Sequence, residues 1–202
     1  MALASERADD SALPSDAAIR PILKARLLRQ TGADAETVLI EELGLSRGHV
    51  RVDIAVVNGS LHGYEIKSDR DSLRRLGPQV ELYSKVFDQA SLVAGERFLC
   101  AASKLVPEWW GLMQIFRTPR GLQVKTVRKS RNNPGRDPRI LAELLWAEDA
   151  LALLEQRNVA KGVRGKPRRV LWDRVCEHFT LEEIASAVCT RLKARTSNQV
   201  RP

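Results

Sequence analysis

Cysteine is scarce in this chain: Cys100, Cys176 and Cys189 are the three in 202 residues. They are odd in number, widely spaced and set in apolar surroundings, which suits reduced core thiols and argues against a disulfide framework or a zinc site. No apolar run approaches the roughly 20 residues that a membrane span needs. The amino-terminal MALASERADDSALPSD has no apolar core of signal-peptide length and carries acids throughout. Residues 1–15 therefore read as a disordered tail on a cytoplasmic protein with no membrane partner. What is left is a globular composition, 44% hydrophobic and 29% charged, long enough for one domain of ordinary size and a further piece.

Charge is unevenly spread. Residues 1–90 carry 12 basic and 14 acidic side chains, residues 91–202 carry 21 and 11, and the whole chain is +8. One basic run holds Arg117, Arg120, Lys125, Arg128, Lys129, Arg131, Arg136 and Arg139 against the single acid Asp137. A second holds Lys161, Arg164, Lys166, Arg168 and Arg169 with no acid between them. Such runs are either a solvated surface or the footprint of a polyanion, since each neutralised phosphate releases condensed counterions.

The stretch RVDIAVVNGSLHGYEIK, residues 51–67, reads as two strands joined at Asn58-Gly59. Val52, Ile54 and Val56 alternate with Arg51, Asp53, Ala55 and Val57, and a second short run covers Tyr64 to Lys67. Strand alternation puts Glu65 and Lys67 on one face and Tyr64 and Ile66 on the other. A paired neighbouring strand can bring Asp53 to the same edge, collecting two carboxylates and an ammonium at one point. Two hard oxygen ligands suit Mg²⁺ or Mn²⁺, which keep several waters. Water on such a metal is acidified, and an adjacent lysine can orient it or stabilise charge on an attacked phosphate. Ser68 to Asp71 follows as a helix start, so Lys67 stands at a strand's carboxyl end, where open α/β sheets place their sites. Gln79 and Tyr83, spaced i, i+4, share a helix face.

Asp53 followed by Glu65-Ile66-Lys67 resembles the PD-(D/E)xK nuclease motif, in which two acids bind metal and the lysine serves catalysis. Val52 stands where the motif's name has proline, a position loosely kept in that superfamily. Gln79-Val80-Glu81-Leu82-Tyr83 is similar to the QxxxY element of RecB-like nucleases, whose glutamine and tyrosine face the site from the following helix. From about Glu41 to Trp110, and in its helical carboxyl-terminal part, the chain resembles a family of small prokaryotic and phage-borne proteins with this nuclease core. The resemblance implies an α/β, restriction-endonuclease-like fold: a mixed central sheet flanked by helices. It also implies a metal shell of Asp53, Glu65, the Ile66 carbonyl and Glu41 or Glu42, with Lys67 acting on the water and Gln79 and Tyr83 steadying the site. The expectation is a Mg²⁺- or Mn²⁺-dependent enzyme acting on nucleic acid, DNA before RNA. The alternative is a nuclease-fold module that binds nucleic acid or a protein with little chemistry of its own.

Along the chain, Asp16 to Arg29 reads as a helix whose regular part begins near Arg20 because of Pro21. Glu36 to Leu45 is a strand or a helix end. Asp69 to Leu76 is a short helix stopped by Gly77-Pro78, and Pro78 opens another to Asp88. Arg74 and Arg75 precede it as candidate phosphate contacts. Ala90 to Ala94 returns to the sheet in a parallel crossover. Glu96 to Leu105 is a helix with Phe98, Leu99, Ala102 and Leu105 inward. Trp109 to Phe116 and Leu122 to Val127 are paired strands, with one tryptophan of Trp109-Trp110 in the core and the other either packed as well or exposed to stack on a base. Residues 16–130 thus form the core, SRNNPG at 130–135 a linker, and 136–196 a helical appendage. Its first helix runs from the Asp137 cap to Gln156, its second from Pro167 to His178, and its third from Leu181 to Arg195 behind a Thr180/Glu183 capping box. The residues best placed to hold nucleic acid are Arg74, Arg75, Arg117, Arg128, Lys129, Arg131, Lys166, Arg168 and Arg169.

Overall fold

A computed structural model describes residues 15–31, 36–68 and 71–199, so the expected tail lies almost wholly outside the described residues. Six strands form one mixed sheet in sequence order: β1 (Val38–Leu45), β2 (Val50–Val57), β3 (Leu61–Lys67), β4 (Gln89–Ala94), β5 (Gly111–Thr118) and β6 (Gly121–Arg128). β1, β2 and β3 are antiparallel neighbours, β3, β4 and β5 run parallel, and β6 returns antiparallel. The helices are α1 (Asp16–Gln30), α2 (Leu76–Val86), α3 (Glu96–Ala102), α4 (Pro138–Ala142), α5 (Ala147–Gln156), α6 (Arg168–His178) and α7 (Leu181–Gln199). The mixed α/β class expected from the sequence is what the chain adopts. No described helix is long and apolar enough to cross a membrane.

The sheet has two unequal apolar faces. α1 covers the smaller, setting Ile19, Leu23 and Leu27 against Ile54, Val56, Ile66 and Val93. Pro21 lies inside this helix, which runs from Asp16 rather than Arg20. The proline removes one helical hydrogen bond, at about 3 kcal/mol. Burying three large aliphatic side chains returns about 1.5–3 kcal/mol each, and the helix runs through.

The larger face carries α2, α3 and all four carboxyl-terminal helices. Tyr83, Phe87 and Trp110 join Leu141, Leu154, Trp172 and Val188 in one continuous buried cluster with Val52, Ala55 and Leu92 of the sheet. The segment 136–196, read as an appendage, is therefore a layer of the same core. Its first helix is also two: α4 ends at Ala142, and α5 restarts behind Trp146, whose amide donates to the Asp149 carboxylate at 3.2 Å. The Asp137 cap and the Thr180/Glu183 reciprocal pair stand as read.

Several boundaries move. Residues 38–45, read as strand or helix end, are strand. Gly77-Pro78 does not stop a helix, because α2 begins at Leu76 and the proline falls in its first turn, where amides have no helical partner to lose. A 3-10 turn, Leu73–Arg75, takes the place of the helix expected before it. α3 ends at Ala102, leaving Leu105 half exposed. Cys100 is exposed, not a core thiol, whereas burial pushes the Cys189 thiol up to about 11. Trp110 is fully buried and Trp109 packs beside it, so neither ring is a free platform.

Candidate functional site

The central hairpin departs from ideal alternation at the position where chemistry was expected. Its turn holds three residues, since Val57 pairs with Leu61, and Gly59 adopts a φ of 95° there. The pairing of β2 with β3 ends at Ile54 opposite Tyr64, although both strands continue. β2 meanwhile stays paired with β1 as far as Val50. Val52 packs in the larger core and Ile54 in the smaller, so the strand turns over at Asp53, opposite Glu42 with its φ of 54°. The simple alternation read for Val52, Ile54 and Val56 does not hold at Val52.

The fork this opens is filled by Asp53. Its carboxylate accepts the Ile66 amide proton at 2.6 Å, replacing the lost ladder bond. A strand residue points its N–H and C=O to the same side, so the Ile66 carbonyl opens toward the same fork. Burial and the neighbouring Glu65 charge push the Asp53 carboxyl up to about 7, against the opposing pull of the Ile66 amide and Arg20.

Glu65 and Lys67 share the other face, both almost fully buried. Lys67 Nζ donates to Glu65 Oε1 at 2.6 Å and to Gln79 Oε1 at 3.0 Å. Gln79 Nε2 donates to Glu65 Oε1 at 2.6 Å, and the Tyr83 hydroxyl donates to Oε2 at 2.6 Å. Burial and the Glu65 charge raise the Tyr83 hydroxyl well above its ordinary value, which keeps it a donor. α2 comes this close because β3 has glycine at position 63, where a Cβ would stand 2.8 Å from the Phe87 ring and 3.0 Å from Tyr83.

Asp53, Glu65, Ile66, Lys67 and Gln79 line one cavity of about 570 Å³. The candidate catalytic residues thus converge, Tyr83 through its bond to Glu65. The donor chemistry fits a hard divalent cation: Oε2 of Glu65 and Oδ1 of Asp53 keep lone-pair capacity, and the Ile66 carbonyl faces the fork.

The acidic pair 41–42 separates. Glu42, Asp16 and Asp53 offer carboxylate oxygens within 4.8 Å of one another. Glu41 stands outside this group, ion-paired to Lys24 and 3.8 Å from Arg20. Arg20 runs through the group, 2.8 Å from Glu42 and 3.5 Å from Asp53, with a further bond to the Asp53 carbonyl at 2.7 Å. Sequence reasoning missed Asp16 and Arg20. Their i, i+4 spacing of opposite charges at the start of α1 was the available signal.

The proposed nucleic-acid contacts divide. Arg74 and Arg75 are exposed and line the cavity. Arg117 lies near the end of β5, at the sheet edge that Lys67 occupies. Arg128 is a correction: its guanidinium donates to the Trp110 and Pro107 carbonyls at 2.8 and 3.1 Å. It pairs with Leu112 at the start of β5, so Arg128, Lys129 and Arg131 stand at the opposite end of the sheet from Lys67. Arg136 and Arg139 of the same run are ion-paired within the protein. Lys166, Arg168 and Arg169 are exposed on the approach to α6. His62 lies away from the cavity, stacked on Tyr64 and bonded to Ser91, with burial pushing its ring down to about 4.

Among known proteins, this chain is similar to Protein cII of Enterobacteria phage P4, at 26% identity over 174 residues. The match takes in 85% of this chain and 65% of that protein, so the chain spans slightly under two thirds of the relative's length. Among solved structures, a protein of unknown function from Silicibacter pomeroyi aligns over 92% of each chain with a TM-score of 0.42 and 18% identity. A family model matches residues 15–201, nearly the whole length, and the chain belongs to the family described as Bacteriophage P4 protein cII.

Proposed function

We propose that this protein is a divalent-metal-dependent nuclease of restriction-endonuclease-like architecture that hydrolyses phosphodiester bonds in DNA. The observation that carries the reading is the meeting of Asp53, Glu65 and Lys67 on one cavity, with the Asp53 carboxylate in an open strand fork and the Glu65 carboxylate braced from three sides. Asp53, Glu65 and the Ile66 carbonyl would hold Mg²⁺ or Mn²⁺, with Asp16 on the same cavity and Glu42 within 4.8 Å of Asp53 as further acids. Bound there, such an ion supplies a Lewis acid and acidifies water beside the attacked phosphorus.

The chain's own groups do the rest. The Lys67 ammonium lies beside Glu65 and balances charge that builds on the phosphate oxygens. Gln79 and Tyr83 hold the Glu65 carboxylate in one orientation, so a ligand oxygen need not be reorganised at the moment of reaction. Burial of Glu65 and Lys67 excludes competing water and strengthens both effects.

The test is incubation of the purified protein with labelled single-stranded, duplex and branched DNA, and with RNA, in Mg²⁺, Mn²⁺ or chelator. Cleavage that needs the metal and vanishes in Asp53→Asn, Glu65→Gln and Lys67→Met supports the reading, and an undiminished rate in Asp53→Asn would refute it. A second reading, a nuclease-fold module that binds without cleaving, is favoured by the Arg20 guanidinium standing among the acids. It requires full DNA affinity in chelator and no turnover on any strand form.

A further inference from the structure

Three exposed arginines line the cavity, and none of their side chains has an ion-pair or hydrogen-bond partner among the described residues. Arg51 stands on β2, just past the 3-10 turn Ser46–Gly48. Arg74 and Arg75 stand on the 3-10 turn before α2. Several arginines elsewhere are held by carboxylates, Arg20 by Asp16, Arg136 by Asp88, Arg139 by Asp173 and Arg157 by Glu183. The same lining holds Asp16, Asp53, Glu65 and Asp71, and a phosphate is drawn to the guanidiniums and away from those carboxylates.

The depth of the floor limits what that anion can be. Glu65 is 1% exposed and Lys67 4%, whereas Arg51, Arg74 and Arg75 of the same lining are exposed, so the acid and the lysine are the recessed part of the cavity. A phosphate on the convex outside of a rigid duplex is poorly placed to reach side chains so recessed. A phosphate of a flexible single strand can be bent down to them while its neighbours remain at the rim. The described lining includes no Phe, Tyr or Trp, so stacking on bases contributes little and the hold falls on the backbone.

We infer that the cavity takes single-stranded DNA, with the phosphates flanking the reacting one held by Arg51, Arg74 and Arg75. The position of the reacting phosphate rests on the nuclease reading above. The hold itself is sequence-independent and strongly salt-dependent.

The test is fluorescence anisotropy of the full chain with a labelled single-stranded oligonucleotide and the matching duplex, in chelator and across a salt series. The single strand binds more tightly than the duplex. The triple variant Arg51→Ala, Arg74→Ala, Arg75→Ala loses roughly tenfold or more in affinity, and its salt slope falls by about 2, the loss of three single-strand phosphate contacts. Replacing the three by lysine retains most of the binding, as does the equally discharged control Arg29→Ala, Arg97→Ala, Lys104→Ala, whose residues are exposed and do not line the cavity. Unchanged circular dichroism of these surface variants separates lost binding from lost folding, and Arg74→Glu alone serves if the triple variant is unstable. Equal or tighter duplex binding overturns the inference, and so does wild-type affinity in the triple variant. Because the measurement involves no turnover, its failure is separate from that of the nuclease reading, which Mg²⁺-dependent cleavage by the wild type decides.

Discussion

Asp53 accepts the amide proton of Ile66 at 2.6 Å, across the mouth of the fork where β2 parts from β3. One side chain thereby does two jobs. It satisfies a backbone donor that the split ladder leaves without a partner, and it brings a carboxylate to the cavity beside Glu65. The second job carries an electrostatic penalty, visible in the Asp53 carboxyl pushed up to about 7.

That shift sets a pH dependence of stability. An acid whose folded pKa lies above its unfolded value holds its proton more tightly in the folded state. Its contribution is therefore fully present below about pH 4 and is lost as pH rises to about 7, with a slope of at most about 1.4 kcal/mol per pH unit. Asp53→Asn keeps an acceptor for the Ile66 amide and removes the charge. Urea denaturation between pH 4 and 8 is expected to show the variant gaining stability relative to the wild type as pH rises, and parallel curves would count against the shift.

Metal binding should follow the same proton. A cation at Asp53 displaces it, so calorimetric Mg²⁺ or Mn²⁺ affinity is expected to rise with pH up to about 7 and level off above, with proton release in the rising range. Asp53→Asn and Glu65→Gln each remove the response. Melting temperature should rise with the metal in the wild type and fall back on chelation.

Arg20 bridges Asp16, Glu42 and Asp53 with its side chain only 13% exposed. Arg20→Gln leaves three carboxylates facing one another, and a loss of about 1–3 kcal/mol is expected by urea denaturation, discounted from fully buried pairs because the acids are partly solvated. Millimolar Mg²⁺ should restore more stability to this variant than to the wild type, since a divalent cation can take the place of the guanidinium. No difference in metal response would count against that exchange.

Gly63 sets how closely α2 approaches β3. Gly63→Val places carbon against Phe87 and Tyr83, and a loss of about 1–3 kcal/mol is expected, with the Tyr83 hydroxyl drawn away from Glu65. Tyr83→Phe removes only that hydroxyl and is expected to destabilise by about 1–2 kcal/mol. If the brace matters to chemistry, cleavage in both variants falls further than their stability loss explains, as judged by rates measured well below the melting temperature.

Much of the local structure was legible in the residues. The Asn58-Gly59 turn, the Glu65/Lys67 face, the Gln79/Tyr83 spacing and the Asp137 and Thr180 caps are short-range features, set by strand and helix periods and by side chains bonding nearby backbone. The boundaries that moved did so for local reasons that packing overruled. Pro21 stays inside α1 because that helix buries its aliphatic face on the sheet. Gly77-Pro78 sits in the first turn of α2, where neither residue breaks anything.

The sheet's two periods, and hence an α/β chain with an acid and a lysine side by side at a strand end, follow from the order of residues alone, because alternation and helical repeat are properties of the backbone. The turn-over of β2 at Asp53, the separation of Glu42 from Glu41, the entry of Arg20 and Asp16, and the partnering of Arg128 away from any ligand required the tertiary structure. Each depends on which distant segments share a face, and that is decided by packing α1 on one side of the sheet and six helices on the other.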